Sequence, residues 1–108
     1  MFKMFDTIKS LFSAKPKTDF AHLVKNGAAI VDVRTKAEFE SGHIAGAINI
    51  PVDQLSKNLN KIRDKSKPVI TCCASGMRSS SARQFLLASG YTEVYNGGGW
   101  TSLQNKLQ

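Results

Sequence analysis

From Thr18 onward the chain alternates between segments with helical spacing and short apolar runs, separated by glycine, proline and small polar residues. Thr18 reads as the cap of a helix running to about Asn26 and stopped by Gly27, after which Ala28-Ala29-Ile30-Val31-Asp32-Val33 reads as a buried strand. Thr35 followed three residues later by Glu38 is a capping box, which predicts a short helix through Glu40 ended by Gly42. Ala47 to Ile50 reads as a strand stopped by Pro51, and Asp53 as the cap of a weaker helix through about Ile62. Pro68 admits a wholly apolar strand, Val69-Ile70-Thr71-Cys72-Cys73, and a helix is predicted from about Ser79 to Ser89 with Gly90 as its stop. Glu93-Val94-Tyr95 reads as a last strand, Asn96-Gly97-Gly98-Gly99 as a turn, and Trp100 to Leu107 as a closing helix. Strands alternating with helices predict an α/β fold, a mostly parallel central sheet with helices on both faces. Such sheets place their sites beyond the carboxyl ends of the strands.

Ahead of this pattern, Met1, Phe5, Ile8 and Phe12 recur on one helical face, and Lys15-Pro16-Lys17 ends the segment. Residues 1–18 therefore read as an amphipathic N-terminal extension, which lies on its own domain or docks on a partner or a membrane surface, and 19–108 as the domain proper. With 108 residues, 42% of them hydrophobic and 21% charged, the chain fits one soluble globular domain. No run is long and apolar enough to cross a membrane, and Asp6 and Lys9 interrupt the first segment too early for a secretory signal. A cytoplasmic location is expected. Monomer is the default expectation for its oligomeric state.

The formal charge of +7 admits nucleic acid, an acidic membrane or an anionic substrate as partner. Much of it sits at Lys3, Lys9, Lys15 and Lys17 and in the run Lys57, Lys61, Arg63, Lys65 and Lys67. No aromatic residues interleave with the run from Lys57 to Lys67, which argues against a nucleic-acid platform there and leaves a solvated surface segment. The two cysteines, Cys72 and Cys73, are adjacent and cannot staple distant parts of the chain, so a reducing compartment fits. Neighbours on a strand point to opposite faces, so at most one of the two looks into a site.

Chemistry concentrates in Cys73-Ala74-Ser75-Gly76-Met77-Arg78, a thiol at the exit of a buried strand and an arginine just before a helix, with small residues between. Such a loop can curl so that successive amides point at one spot, and the following helix adds partial positive charge there. An anion is favoured in that spot, and so is a thiolate, because cysteines at helix N-termini beside cations ionise more easily than the ordinary thiol.

The chain resembles the rhodanese-like sulfurtransferases over about residues 19–107. The resemblance rests on Ile30-Val31-Asp32-Val33-Arg34, Glu38-Phe39, Gly42-His43-Ile44-Ala45-Gly46-Ala47, Asn49-Ile50-Pro51, the loop Cys73 to Ser79, and Gly90-Tyr91 leading to Asn96-Gly97-Gly98-Gly99. It implies a rhodanese-like fold and a single-domain enzyme that moves sulfane sulfur from thiosulfate or a persulfide to a thiophilic acceptor, cyanide or a thiol. It implies Cys73 as the catalytic residue that becomes a persulfide, and Ala74, Ser75, Gly76, Met77 and Arg78 as the substrate-binding loop, with neither metal nor organic cofactor. The expected partners are a small anionic sulfur donor and a thiol or protein acceptor. A second reading is a persulfide carrier serving a protein partner. The third, a cysteine phosphatase or arsenate reductase, would need the longer loop counted from Cys72 to Arg78; the six residues from Cys73 to Arg78 and the place of Gly76 favour Cys73, with Cys72 turned into the core or, as the alternative, a nearby thiol that resolves the persulfide.

His43, between Gly42 and Ile44, reads as part of a turn, while Asp32 and Arg34 flank a strand end where they could hold loops together. Trp100 and Phe85 read as core or rim aromatics, and His22 as a surface-helix residue. Two separated histidines and two adjacent cysteines argue against a structural zinc site.

Overall fold

The computed structural model describes residues 18–108, so the amphipathic extension predicted over 1–18 lies almost wholly outside the described residues. The elements follow in the order α1 (Phe20–Lys25), β1 (Ala29–Asp32), α2 (Lys36–Ser41), β2 (Ile48–Asn49), two 3₁₀ helices η1 (Val52–Lys57) and η2 (Leu59–Lys61), β3 (Val69–Cys73), α3 (Met77–Ala88), β4 (Val94–Gly99) and α4 (Trp100–Lys106). The strands form one parallel sheet in the order β2-β1-β3-β4, with Asp32 opposite both Asn49 and Cys72. Among the described residues no helix is long and apolar enough to cross a membrane.

Both faces of the sheet are covered, and the alternation along β3 shows how. Val69 and Cys73 join Val31, Val33, Ile50, Leu55, Ile62, Ala82, Leu86, Tyr91 and Val94 in a core under α3 and η1. Ile70 and Cys72 join Phe20, Ile30, Ile44 and Leu103 in a second core under α1 and α4. The strand period of two therefore sends the adjacent cysteines to opposite sides of the sheet. Both are buried, Cys72 turned into the core as its sequence position led one to expect.

Four local readings change. The cap of α1 is Asp19 and not Thr18: its carboxylate accepts the amide of His22 at 3.0 Å, and the next residue, Phe20, anchors the first turn in the core. The helix expected from Asp53 is a pair of 3₁₀ turns with no side-chain cap. Here the Asn58 side-chain amide donates to the Gln54 carbonyl at 2.8 Å, taking the acceptor that an α-helix would give to the Asn58 backbone, whose own amide bonds Leu55 instead. Helix α3 begins at Met77, two residues early, so Arg78 stands inside its first turn.

The glycines expected to form a turn continue β4 and pair with β3, Cys73 lying opposite Gly99. They are there for closeness. A methyl group at Gly97 would stand 2.8–2.9 Å from Leu103, Ile70 and the Thr71 carbonyl, and one at Gly99 2.9 Å from the Ala74 carbonyl. The capping box of α2 is present as read, Thr35 Oγ1 accepting the Glu38 amide at 3.2 Å while Glu38 Oε1 accepts the Thr35 amide at 3.0 Å.

Candidate active site

β3 delivers Cys73 to the carboxyl edge of the sheet, and the chain then turns through Ala74 and Ser75 to Gly76, which caps α3 with φ +105. That left-handed conformation is open to glycine at little cost, and it aims the Gly76 amide at Cys73 Sγ, 3.0 Å away. The Ser79 amide follows at 3.4 Å, and Ser79 Oγ also lies 3.4 Å from the sulfur. Burial pushes the Cys73 thiol up, but the hydroxyl and amide of Ser79 with the amides of Gly76 and Ser75 outweigh it, and the thiol sits below its ordinary range. Cys72 has no such partners: burial and then the Asp32 charge push it up to about 12. One sulfur is prepared to ionise and its neighbour is not.

Ser79 is fully buried and belongs to a network that sequence reasoning did not assign. Its hydroxyl donates to Asn96 Oδ1 at 2.6 Å, Asn96 Nδ2 donates to the Gly76 carbonyl at 3.2 Å, and Oδ1 also accepts the Gly98 amide at 2.9 Å. β4 thereby braces the loop through one side chain. Thr71 ties the other side, donating from Oγ1 to the Ser79 carbonyl at 2.8 Å.

Of the six loop residues, Ala74 and Ser75 are exposed at the rim, and Met77 is 78% exposed. The guanidinium of Arg78 is engaged by Glu38 of α2, Nη1 donating to Oε1 at 2.8 Å and Nη2 to Oε2 at 3.0 Å. Glu38 was legible only as a capping residue; its second role depends on a contact forty positions away in the chain. The Arg78 hydrogen bonds, followed by the Thr35 amide, hold its carboxyl down to about 2.

Asp32 and Arg34 form a buried pair, 2.7 Å between Nη2 and Oδ2, and the same guanidinium donates to the carbonyls of Glu38 and Gly42 while lying 4.7 Å over the Trp100 ring. This pair fixes the end of α2 to β1 and α4, and so fixes where Glu38 stands. His43 is held to α2 by stacking on Phe39 and by its Nδ1 against the Phe39 carbonyl at 2.7 Å, a structural placement. Among the described residues no three His, Cys, Asp or Glu side chains cluster as a metal site would require.

The fold and the loop define an α/β domain with an amide-lined thiol at the carboxyl end of a central strand. Residues 17–106 match the model of the Rhodanese-like domain family, and the chain belongs to that family. It is 45% identical over 82 residues to the uncharacterized protein YqhL of Bacillus subtilis, covering 75% of this chain and 64% of YqhL. It is 36% identical over 70 residues to thiosulfate sulfurtransferase PspE of Escherichia coli, covering 64% of this chain and 67% of PspE. The match thus spans about two thirds of the length of these relatives. The structure is similar to a rhodanese with anions from E. coli, with a TM-score of 0.67 and 32% identity over 70% of this chain and 91% of that one. The expected rhodanese-like fold is therefore present, and the chain falls within a family that includes named sulfurtransferases.

Proposed function

We propose that this chain is a sulfurtransferase that moves sulfane sulfur from thiosulfate or a persulfide to a thiophilic acceptor through a persulfide on Cys73. The observation that carries the reading is the convergence of the Gly76 and Ser79 amides and the Ser79 hydroxyl on a single buried sulfur. In the first half-reaction the Cys73 thiolate attacks the outer sulfur of the donor. The donor's S–S bond, or the S–S bond to sulfite in thiosulfate, breaks and its electron pair leaves with the thiolate or sulfite. In the second, the acceptor attacks the outer sulfur of the Cys73 persulfide and the thiolate is regenerated, with no change in overall oxidation state.

The binding loop is Ala74 to Arg78, and its Ser75 and Gly76 amides, with the amide of Ser79, support negative charge on the Cys73 sulfur. Cys73 is only 1% exposed, which favours a donor whose reacting sulfur is a terminal atom, as in thiosulfate or a persulfide, over a phosphate whose reacting atom is enclosed by its oxygens. The acceptor is a thiol, free or carried by a protein, and exposed Met77 offers such a protein an apolar contact at the rim.

Intact mass after incubation with thiosulfate tests the proposal. Wild type and Cys72→Ser should gain about 32 daltons, one sulfur atom, and lose it to cyanide, while Cys73→Ser should gain nothing. A gain that follows Cys72, or no gain with either thiosulfate or a persulfide, would overturn it.

A further inference from the structure

Arg78 is the only charged side chain of the loop, and its charge is answered before any donor arrives. Glu38 Oε1 accepts the Thr35 amide and hydroxyl, each at 3.0 Å, together with Arg78 Nη1, while Oε2 accepts Nη2. An isolated exposed pair of this kind is weak, because both side chains lose freedom on meeting. Here the capping box already holds the carboxylate in place, so only the arginine has to be ordered. The guanidinium of Arg34, which also bonds the Glu38 carbonyl, is closed onto Asp32. Ala74, Ser75, Gly76 and Met77 add no charge.

We infer that Glu38 determines donor specificity: by holding Arg78 it biases the Cys73 cradle toward persulfides of uncharged thiols and against the thiosulfate dianion. The inference rests on the sulfurtransferase reading and names the donor class of that same site. With a persulfide R–S–SH, the thiolate takes the outer sulfur with its proton to give Cys73–S–SH, the S–S pair leaves as RS⁻, and the proton then passes from the new persulfide to RS⁻, so that one negative charge is present throughout. The loop amides suffice for that single charge. Thiosulfate brings two negative charges, and sulfite leaves with two, so productive binding requires either an unanswered cation or displacement of a preorganised carboxylate. Glu38 is ionised down to about pH 2, so the bias holds at any working pH.

Glu38→Gln tests this in the full chain. Glutamine keeps the oxygen that caps α2 while it removes the charge and turns the second Arg78 acceptor into a donor, so that the hold on Arg78 is released. Steady-state rates are measured with thiosulfate and with the persulfide of 2-mercaptoethanol, a neutral thiol, each with cyanide as acceptor. The KM for thiosulfate should fall about fivefold with kcat nearly unchanged, and the KM for the persulfide should stay within about twofold. The gain should shrink as salt is raised and vanish when Arg78→Gln is added. A simple loss of structure at α2 would move both donors together. Parallel changes for the two donors, or a thiosulfate KM that holds or rises, would overturn the inference alone. A Cys73 that takes sulfur from neither donor would overturn the sulfurtransferase reading, and this inference with it.

Discussion

Ser79 has one proton and three acceptors within reach: Asn96 Oδ1 at 2.6 Å, the Gly76 carbonyl at 3.1 Å and Cys73 Sγ at 3.4 Å. When Cys73 is a thiol, its S–H can donate to Ser79 while Ser79 donates to Asn96. Once the sulfur is charged, the hydroxyl gains by turning to it, and Asn96 still holds the loop through its amide on the Gly76 carbonyl. Ser79→Ala should therefore raise the Cys73 pKa, and the rate of iodoacetamide labelling at pH 7 should fall about tenfold, the weight of one hydrogen bond to a charged group. Ser79→Thr should restore it. A pH profile of labelling that is unmoved in the alanine variant would remove the hydroxyl from the account. The sequence displayed Cys73 and its loop because strand, small residues and arginine are contiguous. It hid Ser79 because a serine in the first turn of a helix has an ordinary local use, and hid Asn96 because its partner lies 17 positions earlier.

At the scale of elements, β3 was legible to the residue, since five consecutive buried positions leave no other period. β4 was not, because its glycines are local turn signals and their reason is long-range: the strand must pass close to Ile70, Leu103 and the loop carbonyl of Ala74. Gly97→Ala puts a methyl group 2.9 Å from the Thr71 carbonyl, a backbone atom that cannot swing aside. It should cost about 1–3 kcal/mol of stability, as overpacking of a filled site does, read as a lowered denaturation midpoint at constant m-value. An unchanged midpoint would mean that β4 can shift away from β3, and that its register with the cysteine loop is looser than the pairing of Cys73 with Gly99 indicates. The 3₁₀ turns of 52–61 teach the same lesson in reverse. Leu55 and Ile62 anchor the segment in the core, whereas Asn58 taking the Gln54 carbonyl is a competition that spacing alone does not reveal.

For the whole molecule, the sheet acts as a partition between two sulfurs that are neighbours in the chain. Cys73 lies on the α3 side under a loop whose rim is exposed; Cys72 lies on the α1 and α4 side, fully buried, with its thiol pushed up to about 12. A reagent can reach Cys73 by movement of a few loop residues, but it can reach Cys72 only when the second core opens, and that core is shared by two helices and the central strands. Local opening and global unfolding should therefore be separable by thiol labelling. In a Cys73→Ser variant, where Cys72 is the only thiol, labelling in native buffer should be negligible, and its dependence on urea should follow the unfolding transition seen by circular dichroism. Labelling of Cys72 well below that transition would show that the face under α1 and α4 opens on its own. The sheet would then not keep the two sulfurs chemically apart, and selective loading of Cys73 would have to rest on the loop hydrogen bonds alone.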